Sequence, residues 1–268
     1  MTKLDPAGPY CCSHCGSGFV SEESGLTCDG CGTHIPVRNG ILLFPLSDDG
    51  PPTDRDPFET VAPIYETPMW FPTLYRLVAG PAAPTDVRVI SRMIGASPGQ
   101  MLDVACGTGR LARRLAPDAD GIWAMDRSRA MLERGVRLAE RATVTGISFA
   151  EMDATEMWYR SNTFESAVCG WALHLFQDPA AVLREIRRVL QFGGRLVGTT
   201  LTERWVLRDP IVQAASKRAL GATAFPVESV RDLLARAGFH DIRLETYGGA
   251  LVFRGIAPER GNSTGSGP

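Results

Sequence analysis

Two groups of residues in this 268-residue chain have the type and spacing to do chemistry. The first is Asp103-Val-Ala-Cys-Gly107-Thr-Gly109, where an apolar run (Met101, Leu102, Val104, Ala105) carrying one acid enters a glycine loop. Lacking a Cβ, Gly107 and Gly109 let the backbone turn tightly and approach a ligand closely. The spacing Gly107-Thr-Gly109-Arg-Leu-Ala112 also fits dinucleotide-binding folds, so it does not identify the ligand by itself. Asp103 separates the cases: its carboxylate would repel a pyrophosphate but suits a ligand with an ammonium group. The second group is Cys11-Cys12-Ser-His-Cys15-Gly16 with Cys28-Asp-Gly-Cys31-Gly32, two C-x-x-C-G knuckles twelve residues apart. Each knuckle turns two thiolates toward one tetrahedral zinc centre. Cys12, Cys15, Cys28 and Cys31 are the predicted ligands; Cys11 is surplus, with Cys11 in place of Cys12 as the alternative set. His14 and His34 are then exposed neighbours, because four thiolates fill the shell.

These groups need elements to hold them. The run before Gly107 suits a buried parallel strand and Arg110 to Leu115 begins a helix, which puts the loop at the mouth of an α/β sheet. The next strand, Gly121-Ile-Trp-Ala-Met-Asp126, ends in an acid 23 positions after Asp103, where a ribose diol needs an acceptor. S-adenosyl-L-methionine, which has no phosphate but carries an amino group, a carboxylate, a sulfonium and a ribose diol, matches both acids. Helices are expected near 58–66, 73–79, 85–95 and 129–140, the last capped by Ser128. Strands are expected near 146–151 and 165–170. Val182, Leu183, Ile186, Val189 and Leu190 recur at helical spacing. A further helix closes at Gly238, and an antiparallel pair turns at Tyr247-Gly248-Gly249. The alternation implies an α/β fold with a doubly wound, mostly parallel sheet.

Further stretches complete a pattern: Phe149-Ala-Glu-Met-Asp153-Ala154, Phe164-Glu-Ser-Ala-Val-Cys-Gly-Trp-Ala-Leu-His174 and Arg188-Val-Leu-Gln-Phe-Gly193-Gly194-Arg-Leu-Val. With the glycine loop they resemble, in order and over residues 58 to 256, the class I S-adenosylmethionine-dependent methyltransferases of the ubiquinone/menaquinone-biosynthesis type, which have a Rossmann-like fold. The resemblance implies that Asp153 accepts the adenine amino group, with Met152 and Ala154 against the ring. It implies that Tyr65 lies over the cofactor, and that Arg127, Met131, Cys169 and Trp171 join Asp103, Ala105, Gly107, Gly109 and Asp126 in binding it. Two positions depart from the pattern. Ala105 replaces the first loop glycine and Phe192 the proline before the double glycine, and Gly193-Gly194 alone is expected to terminate the helix.

Methyl transfer from a sulfonium needs little beyond positioning of the acceptor and exclusion of water. A base is required only for an acceptor with a proton to lose, and His174, at the carboxyl edge of the sheet, is the candidate. The alternative is a histidine that only hydrogen-bonds. Trp171 and Phe176 are candidates for the acceptor pocket or for packing. Cys106 and Cys169 have no paired base that would make them nucleophiles. No Asn/Asp-Pro-Pro-aromatic tetrad follows the fourth strand, which disfavours amine methylation on a nucleic-acid base.

The domains follow: a zinc-ribbon module at 1–46, with Asn39-Gly40 turning two short strands; a linker at 47–57; the cofactor-binding domain at 58–257; and a disordered tail at 258–268. With the linker between two cores, loss of metal is expected to disorder the ribbon and spare the sheet. The stretch Thr202 to Phe225 is expected to help define the acceptor. The net charge of -2, with 44% hydrophobic and 22% charged residues, gives no general attraction to nucleic acid or to acidic membranes. No export signal is visible, so a cytoplasmic location is expected, and disulfides between the knuckles are disfavoured. The partner expected is a small-molecule acceptor, with O- or C-methylation favoured; the oligomeric state is not legible. Ribosomal-RNA guanine methyltransferases with a zinc ribbon are one alternative, but residues 1–50 have two basic against six acidic side chains, and an RNA-reading ribbon should be basic. A methyltransferase fold catalysing a non-methylating rearrangement is the other.

Overall fold

Short apolar runs alternating with amphipathic helices fold as the pattern requires. The computed structural model describes residues 5, 7–46, 62, 65–67, 71–203 and 223–260. The N-terminal segment forms β1 (Phe19–Glu22), β2 (Gly25–Cys28), β3 (His34–Arg38) and β4 (Ile41–Leu43). Next come α1 (Phe71–Ala79), α2 (Asp86–Ile94), β5 (Gln100–Val104), α3 (Arg110–Leu115), β6 (Gly121–Asp126) and α4 (Arg129–Arg141). They are followed by β7 (Ile147–Glu151), β8 (Phe164–Gly170), α5 (Pro179–Val189) and β9 (Leu190–Leu201). The described chain ends with α6 (Val227–Arg236), β10 (His240–Tyr247) and β11 (Ala250–Ile256).

The strand order is β1-β2-β3-β4-β7-β6-β5-β8-β9-β11-β10, parallel from β4 to β9 and antiparallel beyond. Order reverses between β5 and β8, the switch point at which open α/β sheets bind ligands. One face packs Val89, Ile90 and Ile94 of α2, Leu111 and Leu115 of α3, and Leu132 of α4. The other packs Val182, Leu183 and Ile186 of α5, Val230 and Leu234 of α6, and aromatic side chains of the N-terminal segment. Local signals hold. Ser128 Oγ accepts the Met131 N–H at 3.4 Å, and Thr85 caps α2 in the same way. Asn39 and Gly40 both take positive φ in the two-residue turn from β3 to β4.

Three expectations are corrected. The double glycine does not end α5, because Leu190 already pairs with Phe164. Gly193, at φ 73°, instead lies in an excursion of β9, after which Arg195 pairs with Ser166. Phe192 sits on this excursion, half exposed, with the Arg187 guanidinium 5.9 Å from its ring centre. Tyr65 and Glu66 lie in a turn rather than a helix; most of 58–66 falls outside the described residues, as do 47–57, 204–222 and 261–268.

The third correction concerns the ribbon, which has no separate core. β4 pairs in parallel with β7, Ile41 opposite Phe149 and Leu43 opposite Glu151, and the Phe44 N–H donates to the Glu151 carbonyl at 3.0 Å. Tyr10 stacks on Tyr159 at 5.1 Å and lies 5.0 Å from Phe44, which in turn lies 5.6 Å from Trp158. All four rings are buried. Truncating one leaves a cavity shared by ribbon and sheet, so Phe44→Ala should cost about 3–5 kcal/mol. Unfolding followed by circular dichroism should remain one transition, and a separate early ribbon transition would contradict the shared core.

Candidate active site

The site forms where β5 and β8 end. A cleft there is lined by Asp103, Ala105, Cys106, Arg110 and Leu111 from the β5 side, by Gly170 and Trp171 from β8, and by Tyr65. β5 is apolar because both faces are covered; Asp103 is the one ionisable residue on it and is 1% exposed. Its Oδ2 accepts the Ala112 N–H from the first turn of α3 at 3.1 Å, while Oδ1 has no partner among the described residues. Burial pushes the Asp103 carboxyl up to about 7, against the lowering effects of that N–H and of the Arg110 charge.

Arg110 carries the opposite charge in the same cleft. Its guanidinium grips the buried Asp86 carboxylate, with Nη1 at 3.2 Å from Oδ1 and Nη2 on Oδ2, and Trp171 Nε1 donates to the same Oδ2 at 3.0 Å. A negative group at Asp103 and a positive one at Arg110 match an α-amino acid zwitterion. The unpartnered Asp103 oxygen fits the ammonium in particular, since such an atom is costly to bury without a donor. Ala105 and Trp171 both take positive φ, 52° and 60°. These are strained positions for residues with a Cβ, and they occur at the ends of the two switch-point strands.

The glycine loop follows. The Gly107 N–H donates to Asp126 Oδ2 at 2.7 Å and the Ser128 N–H to Oδ1 at 2.8 Å, so the acid ending β6 ties the loop to the start of α4. Gly109, at φ 68°, cannot be replaced without moving its neighbour, because a Cβ would stand 2.9 Å from the Phe149 ring. Met131 borders the loop beside Gly107. At the end of β7, Asp153 is buried; its Oδ1 accepts the Thr155 N–H and hydroxyl at 2.8 and 2.7 Å, and its Oδ2 lies 3.4 Å from Arg127. Met152, wholly buried, accepts the Trp158 N–H on sulfur at 3.4 Å, and Ala154 is buried alongside.

Of the predicted residues, Tyr65, Asp103, Ala105 and Trp171 line the cleft itself; Gly107, Gly109, Asp126, Arg127, Met131 and Met152 to Ala154 lie on the glycine loop and at the ends of β6 and β7, outside its lining, and Cys169 and His174 are packed away from it. Cys169 is wholly buried within β8, and burial pushes its thiol far up. His174 lies in a short 3₁₀ turn, 6% exposed, with Nδ1 3.3 Å from Thr200 Oγ1, and burial pulls its imidazole down to about 4. Conversely, sequence reasoning missed Asp86 and Glu66. Arg113 makes a two-pronged contact with Glu66 at 2.6 and 2.7 Å, and the Thr108 hydroxyl donates to the same carboxylate, so the N-terminal turn is strapped to the glycine loop. Arg110 and Arg113, on successive turns of one helix, were the only visible signal.

At the ribbon, the Sγ atoms of Cys12, Cys15, Cys28 and Cys31 all lie within 4.8 Å of one another, with Cys12 to Cys31 at 3.6 Å and Cys15 to Cys28 at 3.4 Å. Thiolates about 2.3 Å from one tetrahedral ion stand at this spacing, and a disulfide would need about 2.05 Å. Cys11 turns away to the Gly16 carbonyl, and neither His14 nor His34 enters the cluster.

A buried acid, a glycine loop and a second acid, set at the switch point of a doubly wound sheet, define a cofactor-binding α/β enzyme. Comparison with known proteins gives the particular kind. A methyltransferase domain family matches residues 102–198. The ubiquinone/menaquinone biosynthesis C-methyltransferase UbiE of Desulfotalea psychrophila is 31% identical over 176 residues, covering 56% of this chain and 69% of that protein. The demethylmenaquinone methyltransferase of Renibacterium salmoninarum is 28% identical, covering 62% of this chain and 77% of that one. Among solved structures, the YcgJ protein of Bacillus subtilis shares the fold at a TM-score of 0.56 and 15% identity, covering 65% of this chain and 98% of that one. The chain belongs to the class I S-adenosylmethionine-dependent methyltransferases of the ubiquinone/menaquinone-biosynthesis type.

The Asp103 carboxyl gives the site a pH signature. An ammonium pairs with the ionised acid, so affinity for S-adenosylhomocysteine, measured by calorimetry, should be level above about pH 7 and fall about tenfold per unit below it. In Asp103→Asn that slope should vanish; a slope that survives would remove Asp103 from the ammonium site.

Proposed function

We propose that the enzyme methylates a carbon or oxygen of a small hydroxylated or quinone-type ring, using a cofactor held by Asp103, the glycine loop, Asp126 and Asp153. The observation that carries the acceptor class is the aromatic mouth of the cleft. Trp171 meets Tyr75 edge-on at 5.7 Å, and Tyr65 packs on the same cluster, so flat apolar surface stands beside the charged end of the site. The names of the relatives, menaquinone and ubiquinone methyltransferases, support the same class.

Bound S-adenosylmethionine supplies a methyl group on a sulfonium, with a neutral thioether as leaving group. The chain's residues orient and shield. Asp103 and Arg110 hold the amino-acid end, Asp126 accepts from the ribose, and Asp153 with Met152 and Ala154 faces the adenine. The aromatic mouth excludes water and stacks the acceptor. His174, neutral and tied to Thr200, takes a proton poorly at neutral pH, which favours a positioning role and an acceptor that is already ionised.

Adenosylhomocysteine release should therefore be seen with dihydroxynaphthalene or reduced naphthoquinone acceptors, with product mass spectra assigning carbon or oxygen. Release only with nucleic acid or with amines would overturn the acceptor class. His174→Ala should lower turnover less than about tenfold at pH 7 to 8, whereas a loss of about 10²–10⁴ would restore it as the base.

The four ribbon cysteines we assign to a structural zinc, because four thiolates leave no open position for water or substrate. Metal analysis should find one zinc per chain, lost in Cys31→Ser. Protein prepared without chelators yet free of zinc would refute the assignment.

A further inference from the structure

The turn that follows β7 is held from two directions. From α5, Arg188 donates to the Met157 and Tyr159 carbonyls at 2.7 Å each, and Glu185 accepts the Met157 N–H at 2.8 Å. From the ribbon, the Cys11 N–H donates to the Trp158 carbonyl at 2.9 Å, the Arg160 N–H donates to the Pro9 carbonyl at 3.0 Å, and Tyr10 bridges Tyr159. His14, inside the first knuckle, lies edge-on to the Trp158 ring at 5.1 Å, and Phe44 packs on the same ring. Trp158 in turn donates to the sulfur of Met152, beside Asp153.

The path from knuckle to turn is short. Cys11 and His14 touch Trp158, and both adjoin ligand positions of the four-cysteine cluster. Converging thiols fix the shape of residues 11–16, and that shape places the donor and the ring that Trp158 meets. The α5 anchors hold residues 157 and 159; at the other end the Met152 N–H is tied to the Asp126 carbonyl at 3.0 Å, and the Met152 side chain is held by the Trp158 N–H on its sulfur.

We propose that the ribbon is a positioning element for the cofactor: through Trp158 and Met152 it holds the 152–155 turn in the conformation that reads the adenine ring. This rests on the reading that Asp153 faces the adenine. Tyr10, His14 and Trp158 are then positioning residues, acting on the cofactor only through that turn. The ribbon serves binding at the adenine end, beyond β7 and two strands across the sheet from Asp103 on β5, and so should leave the amino-acid end unaffected.

Amide hydrogen exchange and ligand calorimetry on the full chain test this, with metal-loaded protein compared with chelated protein and with the exposed-residue variant His14→Ala. Exchange should rise at residues 152–160 on chelation, and more weakly in His14→Ala, while amides 103–112 stay as protected as before. S-adenosylhomocysteine should bind about tenfold more weakly to chelated protein, in the range usual for coupling between sites. S-inosylhomocysteine, in which a ring carbonyl replaces the amino group, should lose much less, so discrimination between the two rings narrows. Unchanged exchange at 152–160, or raised exchange with both affinities and their ratio intact, would overturn the proposal. Asp153→Asn in metal-loaded protein keeps the two possible failures apart. If discrimination survives that substitution, the adenine reading falls; if it collapses there while chelation and His14→Ala change nothing, the ribbon's role falls.

Discussion

A carboxylate buried at the end of the central strand sets the terms for the rest of the site. Asp103 loses its hydration on folding and recovers a single N–H from α3, so the free protein holds it near the point of protonation. Folding alone gives no return on that cost: stability falls as pH rises from the ordinary carboxylate range to about 7, because the folded state prefers the protonated form. Protonation relieves that cost, and a cation bound beside Oδ1 would offset it in the ionised form. The neighbouring cation does not cancel the charge, because Asp86 already engages the Arg110 guanidinium. The cleft therefore holds a guanidinium already paired with Asp86 beside a carboxyl group, Asp103, that has no ion pair of its own among the described residues.

Strain and strapping reinforce that arrangement. Ala105 and Trp171 are held in left-handed backbone conformations at the two strand ends flanking the reversal of strand order. Trp171 is fixed at both ends, its backbone N–H on Thr199 Oγ1 at 2.8 Å and its indole on Asp86. Glu66 fastens the upstream turn to the loop through Arg113 and Thr108. The parts that meet a ligand are thereby set before it binds, and less ordering is left for the binding step.

Local chemistry was legible in the sequence and long-range pairing was not. The acid before the glycine loop, the second acid at Asp126, the Ser128 cap, the Asn39-Gly40 turn and the paired knuckles are each written within a few residues, and the cap, the turn and the convergence of four cysteines are found where the sequence puts them. The parallel pairing of β4 with β7 joins segments more than a hundred residues apart and has no local mark. Asp86 with Arg110 and Glu66 with Arg113 are hidden for the same reason. The double glycine misled because glycine permits a helix end and a strand bulge equally; only the early pairing of Leu190 decides between them. For His174, the residue type suggested a group that titrates near neutrality, whereas its burial, invisible in one sequence, removes it from that range.

The ribbon also settles an exposure problem at the side of the sheet. A parallel strand such as β7 has unsatisfied amides and carbonyls along its outer margin unless something lies against it, and such a margin recruits strands from other molecules. β4 fills that place, and the following antiparallel strands carry the sheet out to β1, a four-residue strand with three of its side chains exposed. β4 thus does for the whole molecule what no side chain could: without it, the flank of β7 from Phe149 to Glu151 would be an open edge, ready to pair with a strand of another chain.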